Sequence, residues 1–193
     1  MKEILFIVIA YLIGSISTSI ILSKLMKFPD PRTEGSGSAG ATNVLRNVGK
    51  NQAAMVLIGD LVKGFVAVIL ARIFGVAGVA LAFCSFAAVV GHVFPVFFKF
   101  KGGKGVATAL GSFIALSFWV GIIASIIWIA VAALFRFSSL ASLISIVASL
   151  ILVWFVGNHA YTLPVFLIVV LVIWKHMDNI KRLKEGTESK IKF

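Results

Sequence analysis

Three polar segments hold nearly all the residues of this chain whose types and spacing could do chemistry. The first runs Gly35-Ser36-Gly37-Ser38-Ala39-Gly40-Ala41-Thr42-Asn43-Val44-Leu45-Arg46. The turns at Gly35, Gly37 and Gly40 let backbone approach a ligand and aim N–H groups at an anion. Ser36, Ser38, Thr42 and Asn43 add neutral hydrogen-bonding groups, and Arg46 adds a fork that fits phosphate bidentately. A bare linker needs neither the asparagine nor the arginine at its end. In the second segment Gly102, Gly103 and Gly105 surround Lys104 directly before an apolar run, with Thr108 in its first turn. A helix N-terminus beside a lysine binds anions. It is not a Walker A loop, because Gly105 follows Lys104 where Ser or Thr is required. The third segment runs from His176 to Glu188, and its His176 and Asn179 stand i, i+3 on one helical face, where both reach a hydroxyl or a phosphoryl group.

The chemistry is narrowed by what is missing. No CxxC or HExxH accompanies the histidines, so neither a metal site nor a cofactor is expected. There is no G-x-S-x-G elbow, and no histidine has an aspartate four or five residues downstream. Carboxylates in the three segments are sparse, with Glu34, Asp178 and Glu188 the main candidates for an acidic base. A basic, glycine-rich site of this kind suits two phosphate-bearing substrates and works by positioning and charge neutralisation. Asp60 and Lys63, i, i+3 within an apolar run, are expected to pair as a structural tie. His92 and Pro95 read as a helix exit, and His159 as part of an external turn without a role.

These segments must be held by apolar elements. Of the 193 residues 60% are hydrophobic and 13% charged, against about 45–50% and about 25% in soluble domains. The apolar residues fall in uninterrupted runs, as in lipid-embedded helices. One membrane-embedded domain over residues 1–193 is expected, with membrane lipids as surroundings. The excess of 18 Lys and Arg over 7 Asp and Glu gives net +11, which in such a protein collects on the cytoplasmic side and does not indicate nucleic acid. Cys84 is the single cysteine, so no intrachain disulfide forms. The first run lacks a basic lead-in and a cleavage site and reads as a retained span.

Spans are expected over 4–26, 52–74, 76–98, 140–156 and 161–174, with 106–134 deciding the topology. As one helix that run would extend about 43 Å, too long for a core of about 30 Å and barely enough for two crossings. Turning at 117–121 returns Arg136 and the tail lysines, Lys175 to Lys192, to the side of Arg32, Arg46, Lys101 and Lys104. The expectation is an all-α integral membrane protein of seven transmembrane helices, two of them short. The N-terminus lies outside, and three motif loops meet on the cytoplasmic side.

In order and spacing the three segments closely resemble the motifs of the bacterial acyl-phosphate:glycerol-3-phosphate acyltransferase family, PlsY. That family's motifs look like GSGNxGATNxxR, GHxFPxFxxFKGGKGVAT (here Gly91 to Thr108) and HRxNIxRLxxGxE (here His176 to Glu188). Ser38 stands where the family has Asn, and Met177 where it has Arg. The resemblance implies a seven-helix enzyme of the bacterial inner membrane with a cytoplasmic-facing site. Its reaction would move an acyl group from acyl phosphate to the 1-hydroxyl of glycerol 3-phosphate, giving lysophosphatidic acid and phosphate, the first step of phospholipid biosynthesis. It further implies that the 102–105 loop with Lys104 holds the acyl phosphate and that Ser36 and Arg46 bind phosphate. His176 and Asn179 then orient the glycerol hydroxyl with support from Ser142. Either His176 or a substrate phosphate oxygen is the base, and the acyl chain enters laterally from the bilayer. The competing reading is a transporter for a phosphorylated metabolite, which requires a polar path through an external half that offers little beyond Arg72 and Asn158.

Overall fold

In the computed structural model, which describes residues 1–191, the chain folds into ten α-helices with no strand among the described residues. They are α1 (Lys2–Gly14), α2 (Thr18–Met26), α3 (Ala41–Asn47), α4 (Lys50–Ile73), α5 (Gly78–Val93), α6 (Val106–Leu116), α7 (Phe118–Phe135), α8 (Ser138–Val156), α9 (Thr162–Lys175) and α10 (Met177–Lys184). Lys192, counted above with the basic tail, lies outside the described residues.

The apolar runs become helices because a backbone in lipid has to satisfy its own hydrogen bonds. Glycines then set how closely the helices approach. Gly64 of α4 lies on the Thr108 carbonyl, and Gly111 of α6 on the Leu61 carbonyl, where a β-carbon would come within 2.1 and 2.0 Å. Gly14 of α1 and Gly91 of α5 meet the Ala88 and Tyr11 carbonyls in the same way. Small residues at crossings are how helices associate where there is no water to expel. Large apolar side chains cover the outside instead, and Leu134 and Phe155 are each 77% exposed.

The run 4–26 breaks at Ser15–Ser17 between α1 and α2. The carbonyl of Ile16, freed by the break, accepts from Lys63 Nζ at 2.8 Å. Lys63 lies 2.9 Å from Asp60, whose Oδ1 also accepts the Thr18 hydroxyl at 3.1 Å. The charged pair inside α4 therefore caps a broken neighbour, a structural tie of the expected kind.

The run 106–134 is two helices, as the parity of charge required, and only Ser117 separates them. Gly121 lets α7 fold back on α6, since a β-carbon there would meet the Ile114 backbone nitrogen at 2.2 Å. The count of seven crossings is not reached by length and composition alone. Among the described residues five helical spans are long and apolar enough, or six when the bent pair α9–α10 is taken as one. The eleven residues of α6 extend about 17 Å, roughly half the hydrocarbon thickness. Its open C-terminal end is capped from α4, where Arg72 donates to the Leu116 carbonyl at 2.8 Å.

Candidate active site

Asn43 organises the first loop. Its Oδ1 accepts from the Ser36 N–H and from Asn47 Nδ2, both at 3.0 Å, and its Nδ2 donates to the carbonyls of Pro31 (2.7 Å), Glu34 (3.0 Å) and Ser38 (3.0 Å). The chain wraps around one buried amide. Gly35, at φ 56°, leaves no room for a β-carbon beside Asn47 and Asn43. The loop is tied down at both ends. The Ser19 hydroxyl donates to the Ala39 carbonyl at 2.8 Å, and Arg32, paired with Asp30 at 2.6 Å, donates to the Phe98 carbonyl at 3.2 Å. The hydrogen bonds from Arg32 hold the Asp30 carboxyl below its ordinary range.

The second loop is pinned to α5. The Gly103 N–H donates to the His92 carbonyl at 3.2 Å, and the Gly102 carbonyl accepts from Ala39 N–H at 3.5 Å, joining the first two loops. Gly105, at φ 89°, opens α6 in a left-handed conformation. Lys104 Nζ donates to Asn179 Oδ1. Burial pushes the Lys104 ammonium down to about 8; Glu188 opposes the shift, and Arg182 and Arg46 add to it.

The third segment bends by 58° where α9 meets α10, and His176 sits at the bend. Its Nδ1 lies 2.8 Å from the Val172 carbonyl, which only accepts, so Nδ1 carries a hydrogen and the neutral ring keeps its lone pair on Nε2. Asn179 links Lys104 to Glu188, donating to Glu188 Oε1 at 2.9 Å. Glu188 is buried and also accepts from Ser139 Oγ at 2.9 Å and Arg182 Nε at 2.7 Å. Burial alone would raise its carboxyl, but these hydrogen bonds hold it below its ordinary value. Arg46 lies 3.8 Å from Glu188 Oε1 and donates to the Ser189 carbonyl at 2.7 Å. The tail then closes on the α7–α8 connection through Ile191 N–H to the Arg136 carbonyl at 2.6 Å.

These groups surround one cavity of about 230 Å³. The family described as "Glycerol-3-phosphate acyltransferase" matches residues 4–186. This chain belongs to that family. Glycerol-3-phosphate acyltransferases of Coxiella burnetii (strain Dugway 5J108-111) and Legionella pneumophila (strain Corby) are 53% and 48% identical to it. The first alignment covers all of both chains; the second covers 98% of this chain and 69% of its relative. Crystal structures of PlsY, an integral membrane glycerol 3-phosphate acyltransferase, superpose with TM-scores of 0.93 for the glycerol 3-phosphate form and 0.90 for the lysophosphatidic acid form. They are 37% and 36% identical, and each alignment covers 100% of this chain and 96% of the other. The family is one of acyltransferases, so the enzyme reading stands and the transport reading gains nothing from these relatives.

Within the family's shared framework, the cavity brings together eleven residues expected from sequence: Ser36, Ser38, Gly40, Thr42, Asn43, Arg46, Lys104, Gly105, Ser142, His176 and Asn179. Gly35, Gly37, Gly102 and Gly103 shape the loops behind this lining, and Thr108 is fully buried where α6 crosses α4. The Ser142 hydroxyl accepts from Trp128 Nε1 at 3.1 Å and donates to the Ser138 carbonyl at 2.8 Å. The cavity also holds Glu188, expected from sequence only as a candidate acidic base, and groups that sequence reasoning placed elsewhere or passed over: Asp60, His92, Ser138 and Ser139. The serines carried a signal, since 138, 142, 145 and 149 recur every three to four residues along α8 and all are buried. The rest of the lining is apolar apart from Ser125, whose hydroxyl donates to the Gly121 carbonyl, with Leu57 and Leu61 of α4, Val106 and Leu110 of α6, and Trp128 and Ile129 of α7.

Proposed function

We propose that the chain transfers an acyl group from acyl phosphate to the 1-hydroxyl of glycerol 3-phosphate, forming 1-acylglycerol 3-phosphate and phosphate, the first step of phospholipid biosynthesis. The observation that carries this reading is a single cavity with two cationic corners and one apolar side. Lys104 stands at the glycine loop, Arg46 at the first loop, and Leu57, Leu61, Leu110 and Ile129 face them. The glycerol 3-phosphate and lysophosphatidic acid forms of the superposing enzyme agree with an acceptor and a product of this kind.

The donor phosphate sits at the 102–105 loop with Lys104, which leaves the acyl chain against α6 and α7. Ser36 and Arg46 take the phosphate of the acceptor. His176 and Asn179 align the acceptor hydroxyl, with Ser142 supporting that side through its bond to Ser138. The hydroxyl oxygen attacks the acyl carbon, a carbon–oxygen bond forms, and the anhydride bond to phosphate breaks. The electron pair leaves on the phosphate, where Lys104 stabilises it. The hydroxyl proton goes to His176 Nε2, which retains a lone pair in the tautomer described, or to an oxygen of the departing phosphate. An acyl phosphate is already activated, so proximity and charge neutralisation suffice. The cavity faces the cytoplasm of a bacterial inner membrane, because the basic loops gather at its mouth.

The test is to incubate purified protein with acyl phosphate and glycerol 3-phosphate and follow phosphate release and lysophosphatidic acid together. Stoichiometric appearance of both is expected. Phosphate release that does not depend on glycerol 3-phosphate would overturn the assignment.

A further inference from the structure

His92 has no task in the reaction as described, yet it is placed more tightly than a helix exit requires. It is 6% exposed, in the last turn of α5, and lines the cavity. Its carbonyl holds the Gly103 N–H at 3.2 Å. Its ring occupies the space that a side chain at position 103 would need, since a β-carbon there would lie 2.2 Å from Nε2. On the opposite side Nδ1 stands 3.6 Å from Asp60 Oδ1, the oxygen already shared with Lys63 and Thr18. Nδ1 is buried and makes no hydrogen bond. A buried polar atom left in that state costs free energy that an apolar residue would avoid.

The loop that the ring supports has the opposite difficulty. Gly102, Gly103 and Gly105 give it more backbone freedom than any other residue type would, and a phosphate cradle needs fixed geometry. We propose that His92, aligned by Asp60, is the positioning residue of this loop. The ring props Gly103 from beneath, so that Lys104 and the amide end of α6 are preset at the spacing of a phosphate. Glycine at 103 is then required by the imidazole as well as by the ligand. The chain from the broken first span through Lys63, Asp60 and His92 to Gly103 places the membrane-embedded charges in the service of the loop outside them.

This inference rests on the functional reading above and deepens it. It is tested by a cycle of His92→Ala, Gly103→Ala and the double variant, with two readouts. Initial rates give KM for each substrate, and calorimetry gives the affinity for inorganic phosphate. Each single change should weaken phosphate binding and raise KM for the loop's substrate by about tenfold or more, with a smaller effect on kcat. In the double variant the methyl at 103 enters the space the ring has left, so it should be no worse than either single. Losses that multiply in the double variant, or unaltered phosphate binding in His92→Ala, overturn the proposal. Thermal melting reports whether each variant folds. If His92→Ala does not, His92→Asn runs the same cycle, because it keeps a polar group on the side of Asp60 and vacates the space beneath Gly103. A wild-type protein that binds phosphate without turnover would sink the activity and still leave the cycle readable through binding.

Discussion

At the scale of single residues, the cavity depends on the two cations that line it, Arg46 and Lys104. Arg46→Ala and Lys104→Ala each remove a fixed charge from a site proposed to hold two phosphates. Each should lower kcat/KM by about a hundredfold, on the order of 3 kcal/mol, while the protein still inserts and folds. Near-normal rates in either variant would displace that residue from the site. Lys104 also predicts a pH dependence. Its folded value is about 8, so the cation is present below that pH and lost above it. Bound phosphate favours the charged form and moves the loss upward. Thus kcat/KM should fall as pH rises through about 8, and kcat should persist to higher pH. Lys104→Arg, whose guanidinium stays charged, should flatten this limb. A profile that keeps its alkaline fall in the arginine variant would assign it to another group.

At the scale of elements, the decisive features are where helices break and how they are capped. A cysteine placed at 117–119, in the turn between α6 and α7, should react with an impermeant reagent from outside, and one at 138 should not. External labelling at 138 would reverse the topology argued from charge. At the α4–α6 crossing, Gly111→Val should drive the Leu61 backbone away and lower the melting temperature by several degrees, since the added β-carbon meets a carbonyl at 2.0 Å. An unchanged melting temperature would show that these helices are free to part. The break at Ser117 was legible because a 29-residue apolar run is too long for one crossing, and a turn within it returns the basic tail to the side of the other basic loops. The break at Ser15–Ser17 was not, because two serines in an apolar run look like ordinary helix residues. Only the distant Lys63, 47 residues along the chain from Ile16, shows that a carbonyl was left open there.

At the scale of the whole molecule, sequence and structure agree wherever a motif carries its own chemistry and part where it borrows from afar. Arg46, Lys104, His176 and Asn179 meet in one cavity, as their types and spacing suggested. Glu188 was visible as a carboxylate, but its place beside Ser139, Asn179 and Arg46 depends on the tail folding back over α8. His92 was read as a helix exit because the segment that packs on it, Gly102–Gly103, returns only after the turn at Val96–Phe98. The assembled cavity also predicts donor choice. If both glycine loops cradle phosphate as proposed, turnover with acyl phosphate should far exceed that with acyl-coenzyme A in parallel rate measurements. Equal rates would remove the donor from the glycine loop.

The apolar side formed by Leu57, Leu61, Leu110 and Ile129 shares one cavity with the charged and polar groups Arg46, Lys104, His176 and Asn179. Two reactants that share no solvent can meet there, so the protein works at a phase boundary, and its product is a surfactant. A single-chain detergent with an anionic head divides its polarity in the same way as the donor. In such micelles the solubilising agent becomes a competitor for the cavity, with an apparent KM for acyl phosphate that climbs with detergent concentration. Removing that detergent, as in a bilayer of two-chain lipids, should return the apparent KM to a constant value.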